Sequence, residues 1–239
     1  MISKKLAFTT IICFASFWIS ECKTYPAKTE LIDDYLQTYL STYKVFISNL
    51  DNTTLVFKGE NINSALVFYP GGNVDYNSYK PLMASLASKG IMCILYKMPL
   101  NLAFFNIIAA RGIKDKFPEI KNWYIGGHSL GGLCSSFYLY LKKNDFKGLI
   151  LLGSYTILDF SNTDLKVISI LGTEDKVINM ERYNKSKTNY PKDFTEIIIE
   201  GGCHSYFGMY GLMENDGTPT ISNIDQIEYT SNELSKLME

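Results

Sequence analysis

The chain has 239 residues, with 23 Lys+Arg against 24 Asp+Glu, a formal net charge of −1, 46% apolar residues and 20% charged residues. This is a globular composition, which excludes disordered, collagen-like and low-complexity chains. The balanced charge, with no basic stripe, argues against nucleic acid as a partner, and two His and five Cys leave little material for a structural zinc site.

Lys4 and Lys5 precede the uncharged run Leu6–Ser20, which Glu21 ends. As a helix that run spans about 22 Å, short of the ~30 Å hydrocarbon core. A basic start followed by a short apolar run is the pattern of a secretory signal. Ile19-Ser20-Glu21-Cys22 is similar to a bacterial lipobox, with Cys22 the residue that would be lipidated; Glu21 stands where a small residue is usual. Ordinary cleavage nearby and an uncleaved anchor are the alternatives. The expectation is an exported protein of bacterial type, periplasmic, secreted or held at the membrane by a tether at its N-terminus. Residues 1–22 are read as signal peptide, lipoprotein signal or anchor, residues 23–42 as an N-terminal helical segment, and residues 43–239 as one domain.

Leu31, Ile32, Tyr35, Leu36, Tyr39 and Leu40 recur at helical spacing, which predicts an amphipathic helix over Thr29–Ser41. Tyr43–Asn49 and Thr54–Lys58 read as a hairpin turned at Asp51-Asn52. Ala65–Tyr69 is a continuous apolar run ending at Pro70-Gly71-Gly72. A helix over Tyr76–Lys89 follows, stopped by Gly90. Ile91–Lys97 is a further strand, Asn106–Phe117 a predicted helix, Trp123–Gly126 a strand and Leu130–Lys143 a helix. Strands at Gly148–Leu152, Lys166–Leu171 and Thr195–Glu200 come next, and Thr220–Met238 closes the chain as an amphipathic helix. Strands that are apolar throughout are buried on both faces, so these belong to a mostly parallel central sheet flanked by helices. Cys93, Cys134 and Cys203 read as small buried hydrophobes.

Gly127-His128-Ser129-Leu130-Gly131 matches G-x-S-x-G, directly after a predicted strand and at the start of a predicted helix. That strand–turn–helix context is what a nucleophile elbow requires. Ser129 would project its hydroxyl at the carboxyl end of the sheet, and the Leu130 N–H at the helix start would point at a developing oxyanion.

With the elbow in place the chain resembles the alpha/beta-hydrolase superfamily, in the segments YPGGNVD (Tyr69–Asp75), GGHSLGG (Gly126–Gly132), GTEDKV (Gly172–Val177) and GGCHSYFG (Gly201–Gly208). The set is most similar to the compact, lidless bacterial branch, the dienelactone-hydrolase-type proteins and the alpha/beta hydrolase fold-5 domain. The resemblance covers nearly everything from Tyr43 onward and implies a single α/β domain. Only about a dozen residues separate the strands ending near Leu152 and starting near Lys166, which leaves no length for a helical lid. The family's oxyanion loop usually begins His-Gly; here it begins Pro70-Gly71.

A serine hydroxyl needs a neighbouring base at neutral pH. Of the two His, His128 lies within the elbow with its side chain expected to aim away, so His204, in the glycine-flanked loop after the last strand, is the expected base. The acid that orients it is expected at Asp175, four residues beyond the strand end at Leu171, where the family carries its acid; Glu174 is the alternative, and Asp159 and Asp164 lie further off. The second oxyanion donor is expected from the loop after the first apolar strand, at the N–H of Gly72 or of Asn73. Met98, Phe104, Tyr155, Tyr206 and Phe207 follow strand ends, where ligands of open α/β sheets bind, and are candidates for the substrate wall. The reading is a serine hydrolase cleaving a small ester, thioester or related acyl bond, with a small-molecule acyl substrate, no metal and no organic cofactor. A catalytically inactive binding or surface protein that keeps the fold, and an acyltransferase, are the alternatives.

Overall fold

The computed structural model describes residues 23–238. The signal or anchor segment and the lipidation reading for Cys22 lie outside the described residues. β1 (Phe46–Asp51) and β2 (Thr54–Lys58) form the expected hairpin, in which the Asp51 carboxylate accepts the Thr53 N–H at 2.8 Å. The apolar runs become β3 (Ser64–Tyr69), β4 (Ile91–Tyr96), β5 (Asn122–His128), β6 (Gly148–Leu152), β7 (Lys166–Gly172) and β8 (Phe194–Ile199). All eight join one sheet in the order β1-β2-β4-β3-β5-β6-β7-β8. β1 pairs with β2 and β2 with β4 antiparallel, and every other pairing is parallel.

The helices are α1 (Thr29–Thr42), α2 (Lys80–Ser88), α3 (Leu130–Leu141), α4 (Met180–Ser186) and α5 (Asn223–Leu237). Side chains alternate along a strand, so each strand serves two cores. Leu66, Phe68, Cys93 and Leu95 share one with Ile32 and Leu36 of α1, Leu82 and Leu86 of α2 and Ile227 and Leu234 of α5. Ala65, Val67, Met92 and Ile94 share the other with Cys134, Tyr138 and Leu139 of α3. The result is three layers, with the sheet in the middle. α1 is joined to this body at both ends. Tyr25 bridges Val74, and Tyr35 and Tyr39 hydrogen-bond Glu228 of α5.

Three expectations are revised. Asn106–Phe117 is not a helix but a run of tight turns, with short 3-10 pieces at Ala103–Asn106 and Lys114–Lys116. The Tyr69 hydroxyl enters this run: it donates to Ile107 O at 2.9 Å and accepts the Ala110 N–H at 3.0 Å, replacing the bonds a helix would make. Gly112, at φ +75°, then turns the chain out of helical conformation. Tyr76–Lys89 starts as a 3-10 turn, Tyr76–Tyr79, and becomes α-helical only from Lys80, with Pro81 in the first turn where its missing N–H costs nothing. α4 was not expected; it starts on Asn179, whose side chain accepts the Arg182 N–H at 2.9 Å.

Residues 153–165, between β6 and β7, contain no helix, so no cap is inserted there. Cys93, Cys134 and Cys203 are buried and unpaired, and burial pushes the Cys134 and Cys203 thiols up to about 12. No helix among the described residues is long and apolar enough to cross a membrane.

Candidate active site

Parallel strands bring their carboxyl ends to one edge, and the four sequence segments singled out above follow β3, β5, β7 and β8 at that edge. Between β5 and α3, Ser129 is held at φ 51°, ψ −122°, a conformation that a side chain disfavours. The surroundings impose it. Ser129 N–H donates to Leu152 O at 2.9 Å, and Ser129 O accepts from Ser154 Oγ at 2.7 Å and from Gly132 N–H at 3.1 Å. α3 starts so close to β3 that a Cβ on Gly131 would lie 2.1 Å from the Tyr69 carbonyl oxygen. Ser129 Oγ itself makes no hydrogen bond among the described residues.

His204 Nδ1 and Asp175 Oδ2 are 2.8 Å apart, with both side chains 1% exposed. Asp175 Oδ1 accepts the N–H groups of Val177 and Ile178, each at 2.9 Å. With both carboxylate oxygens accepting, the shared proton is assigned to His204 Nδ1, which leaves Nε2 as a lone pair. Nε2 is buried and unpartnered. The alternatives Glu174, Asp159 and Asp164 make no hydrogen bond to the ring: Glu174 faces Thr173 Oγ1 at 3.4 Å, Asp159 holds Ser161, and Asp164 is exposed.

Two contacts put the His204 ring beside the elbow. The His128 ring lies 4.5 Å from it, centroid to centroid. On the other side is Gly153, the residue after the carbonyl that receives the Ser129 N–H. A Cβ on Gly153 would sit 2.9 Å from His204 Nδ1 and 3.2 Å from Asp175 Oδ2, and its φ of +50° also favours glycine. Gly153 was missed in the sequence because a glycine ending a strand reads as an ordinary turn.

His128 does not aim away as expected. Its Nδ1 lies 2.8 Å from Tyr79 Oη, and Tyr79 Oη also accepts the Gly71 N–H at 3.0 Å. The phenol proton therefore goes to His128 Nδ1. Burial holds the His128 imidazole well below its usual range, and the neighbouring His204 adds to this; contact with the His204 backbone offsets only part. It is a neutral strut between the elbow and the oxyanion loop.

The structure separates the two oxyanion alternatives. Asn73 N–H is spent on Asn101 O at 2.9 Å, so it is not free to receive an oxyanion. Its φ of +59° and the neighbouring Tyr25–Val74 bridge turn that N–H away. Gly72 N–H has no acceptor among the described residues, and Leu130 N–H is one of those a helix start leaves open.

The wall candidates divide. Met98 and Phe104 lie in the apolar cluster that includes Leu130. Tyr155 leans on Leu171, Ile178 and Tyr183 beside the Asp175 loop, and Tyr206 is half-buried, two residues after His204. Phe207 is fully buried with its ring 5.5 Å from that of His128, so it supports the site from behind and does not line it. Asp216 was not anticipated: it accepts from the backbone of both His204 and Ser205, but its loop carries no sequence signal beyond an Asp-Gly turn. Among the described residues no group of three or more His, Cys, Asp and Glu is placed to hold a metal ion.

The sequence profile described as the alpha/beta hydrolase family matches residues 65–228. No curated protein matches the chain. Among solved structures, TT1662 from Thermus thermophilus is similar at 12% identity, over 82% of this chain and 98% of that one, with a TM-score of 0.59. Est1E from Butyrivibrio proteoclasticus with bound ferulic acid is 13% identical over 81% and 98%, with a TM-score of 0.58. A soluble variant of the monoglyceride lipase from Saccharomyces cerevisiae, in complex with a substrate analog, is 12% identical over 81% and 94%, with a TM-score of 0.60. At these identities the likeness is one of fold. Strand order, elbow and matched profile lead to one conclusion: the chain belongs to the alpha/beta hydrolase family, and family and fold together support a hydrolase.

Proposed function

We propose that the protein is a serine hydrolase that cleaves a small ester, thioester or related acyl bond through an acyl-enzyme. The observation that carries this reading is the buried His204–Asp175 pair, with an unpartnered Nε2, packed against His128, which precedes Ser129, and against Gly153, which follows the residue that accepts the Ser129 N–H. Ser129 Oγ attacks the acyl carbonyl and its proton passes to His204 Nε2. Asp175 holds the ring by Nδ1 and stabilises the imidazolium. The carbonyl oxygen, now negative, takes the N–H groups of Gly72 and Leu130, a pair of preformed dipoles each worth about 3 kcal/mol in the transition state. His204 returns the proton to the leaving group as the C–O or C–S bond breaks. Water, deprotonated by the same nitrogen, then releases the acid and Ser129.

The short 153–165 connection supports a small acyl group, because no cap covers a long apolar groove. The similar folds of a monoglyceride lipase and of a protein holding ferulic acid agree with a carboxylic acyl substrate. A panel of acyl esters of graded chain length tests the reading. We expect higher kcat/KM on acetyl to butyryl than on palmitoyl esters, without activation at a lipid interface. If emulsified long-chain triglyceride is the best substrate, the small-acyl reading is wrong and the segment 97–106, where Leu100 is 77% exposed, becomes the candidate cover.

A further inference from the structure

We propose that Asp216 is a positioning residue of this site, tying the base loop to the acid loop and setting a second negative charge beside His204; this rests on the reading of His204 as the base. Asp216 accepts five hydrogen bonds. Oδ2 takes the Ser205 N–H at 2.7 Å and the Ser205 Oγ–H at 2.6 Å. Oδ1 takes the Gly217 N–H at 2.9 Å, the His204 N–H at 3.3 Å and the Lys176 N–H at 3.4 Å. Lys176 directly follows Asp175, and Ser205 directly follows His204, so one carboxylate spans the loops that carry the acid and the base. The short bonds are those to Ser205, and the grip on His204 passes chiefly through them. Ser205 Oγ in turn accepts the Met213 N–H at 3.0 Å, which folds the 205–216 segment back on itself.

The base needs such a clamp. Asp175 is fixed by two N–H groups of its own loop, whereas His204 follows β8, the last strand of the sheet, and leads into a single 3-10 turn, Ser205–Phe207. Among the described residues Asp175 gives the His204 ring its one hydrogen bond, and small displacements of a catalytic group are costly. Charge adds a second effect. Burial works against ionisation of Asp216, but the Ser205 hydrogen bonds, His204 and the Gly217 N–H hold its carboxyl below the usual carboxylate range. The other groups facing His204 are Asp175 at its ring, His128 kept neutral by burial, and the adjacent Cys203 thiol, pushed up to about 12. Asp216 and Asp175 are thus the negative charges there, and each favours the imidazolium formed during acyl transfer.

The test compares Asp216→Asn, Asp216→Glu, Ser205→Ala and His204→Ala in the full-length protein, with kcat and KM on a butyryl ester measured across pH. Removing the charge destabilises the imidazolium, so in Asp216→Asn the acid limb of the kcat profile moves to lower pH. Its kcat falls by about 10-fold or more, with KM little changed, the scale of a small misplacement of the base. Asp216→Glu restores the position of the limb. Ser205→Ala lowers kcat without moving the limb, because the charge remains, and it carries the test if Asp216→Asn fails to fold. An unmoved limb in a folded Asp216→Asn, or an equal displacement in Ser205→Ala, overturns the proposal. If His204→Ala keeps activity, the reading of the base fails; if His204→Ala is inactive while Asp216→Asn matches the parent, only the role of Asp216 fails.

Discussion

The two sides of the candidate site are held by different means. On the elbow side, the Ser129 main chain is fixed by bonds to Leu152 O, Gly132 N–H and the Ser154 hydroxyl and by the lack of room for any Cβ on Gly131. Its supporting groups, Tyr79 and His128, are buried and neutral. On the acid–base side, Asp175 and Asp216 gather N–H donors from their loops and act through charge. The first construction holds uncharged groups in close contact and has no room for an added atom at Gly131. The second depends on its charges and on the hydrogen bonds that place them.

The largest effect that sharpens this contrast lies where the two sides meet. Ser129→Ala and His204→Ala should each lower kcat by about a million-fold, and the double variant should be scarcely worse, because nucleophile and base act as one unit. Independent, multiplying losses in steady-state kinetics would separate the two residues and break the account. One step smaller, Asp175→Asn should cost about ten-thousand-fold in kcat by spoiling the tautomer of His204. Glu174→Gln, which alters an acid that does not touch the ring, should stay within about two-fold. The reverse order would move the acid to Glu174.

The smallest effect concerns stability on the elbow side. His128 is held neutral in the folded state well below its usual range. Above about pH 6.5 both folded and unfolded states carry it neutral, so it adds no pH dependence there. Below that, the unfolded chain binds a proton that the folded one refuses, and stability falls as pH falls, by up to about 1.4 kcal/mol per pH unit. Urea midpoints of the parent and of His128→Gln between pH 7 and pH 5 should therefore diverge in slope, with the variant flatter. Equal slopes would mean that His128 is not held neutral.

Much of the candidate site can be read in the sequence, for definite reasons. An elbow needs glycines at fixed offsets between a strand and a helix, and Gly127, Gly131 and Gly132 supply them in order. The proposed acid and base follow strand ends, so Asp175 and His204 become candidates once the strands are placed. What could not be read depends on contacts between distant segments. The Tyr69 hydroxyl dissolves a helix that the pattern of Asn106–Phe117 supports. Asn101 O removes the Asn73 N–H from the oxyanion loop, and Tyr79 recruits His128. Gly153 and Asp216 look like turn residues until their neighbours from the other loops are seen.

The central claim is that Ser129 is a nucleophile activated by His204. Labelling with a fluorophosphonate, followed by peptide mass mapping, tests it most directly. One label per chain is expected on Ser129, with loss of ester hydrolysis in step with labelling and far slower labelling in folded His204→Ala. A folded protein that hydrolyses esters while Ser129 stays unmodified, or that takes the label on another residue, would contradict it.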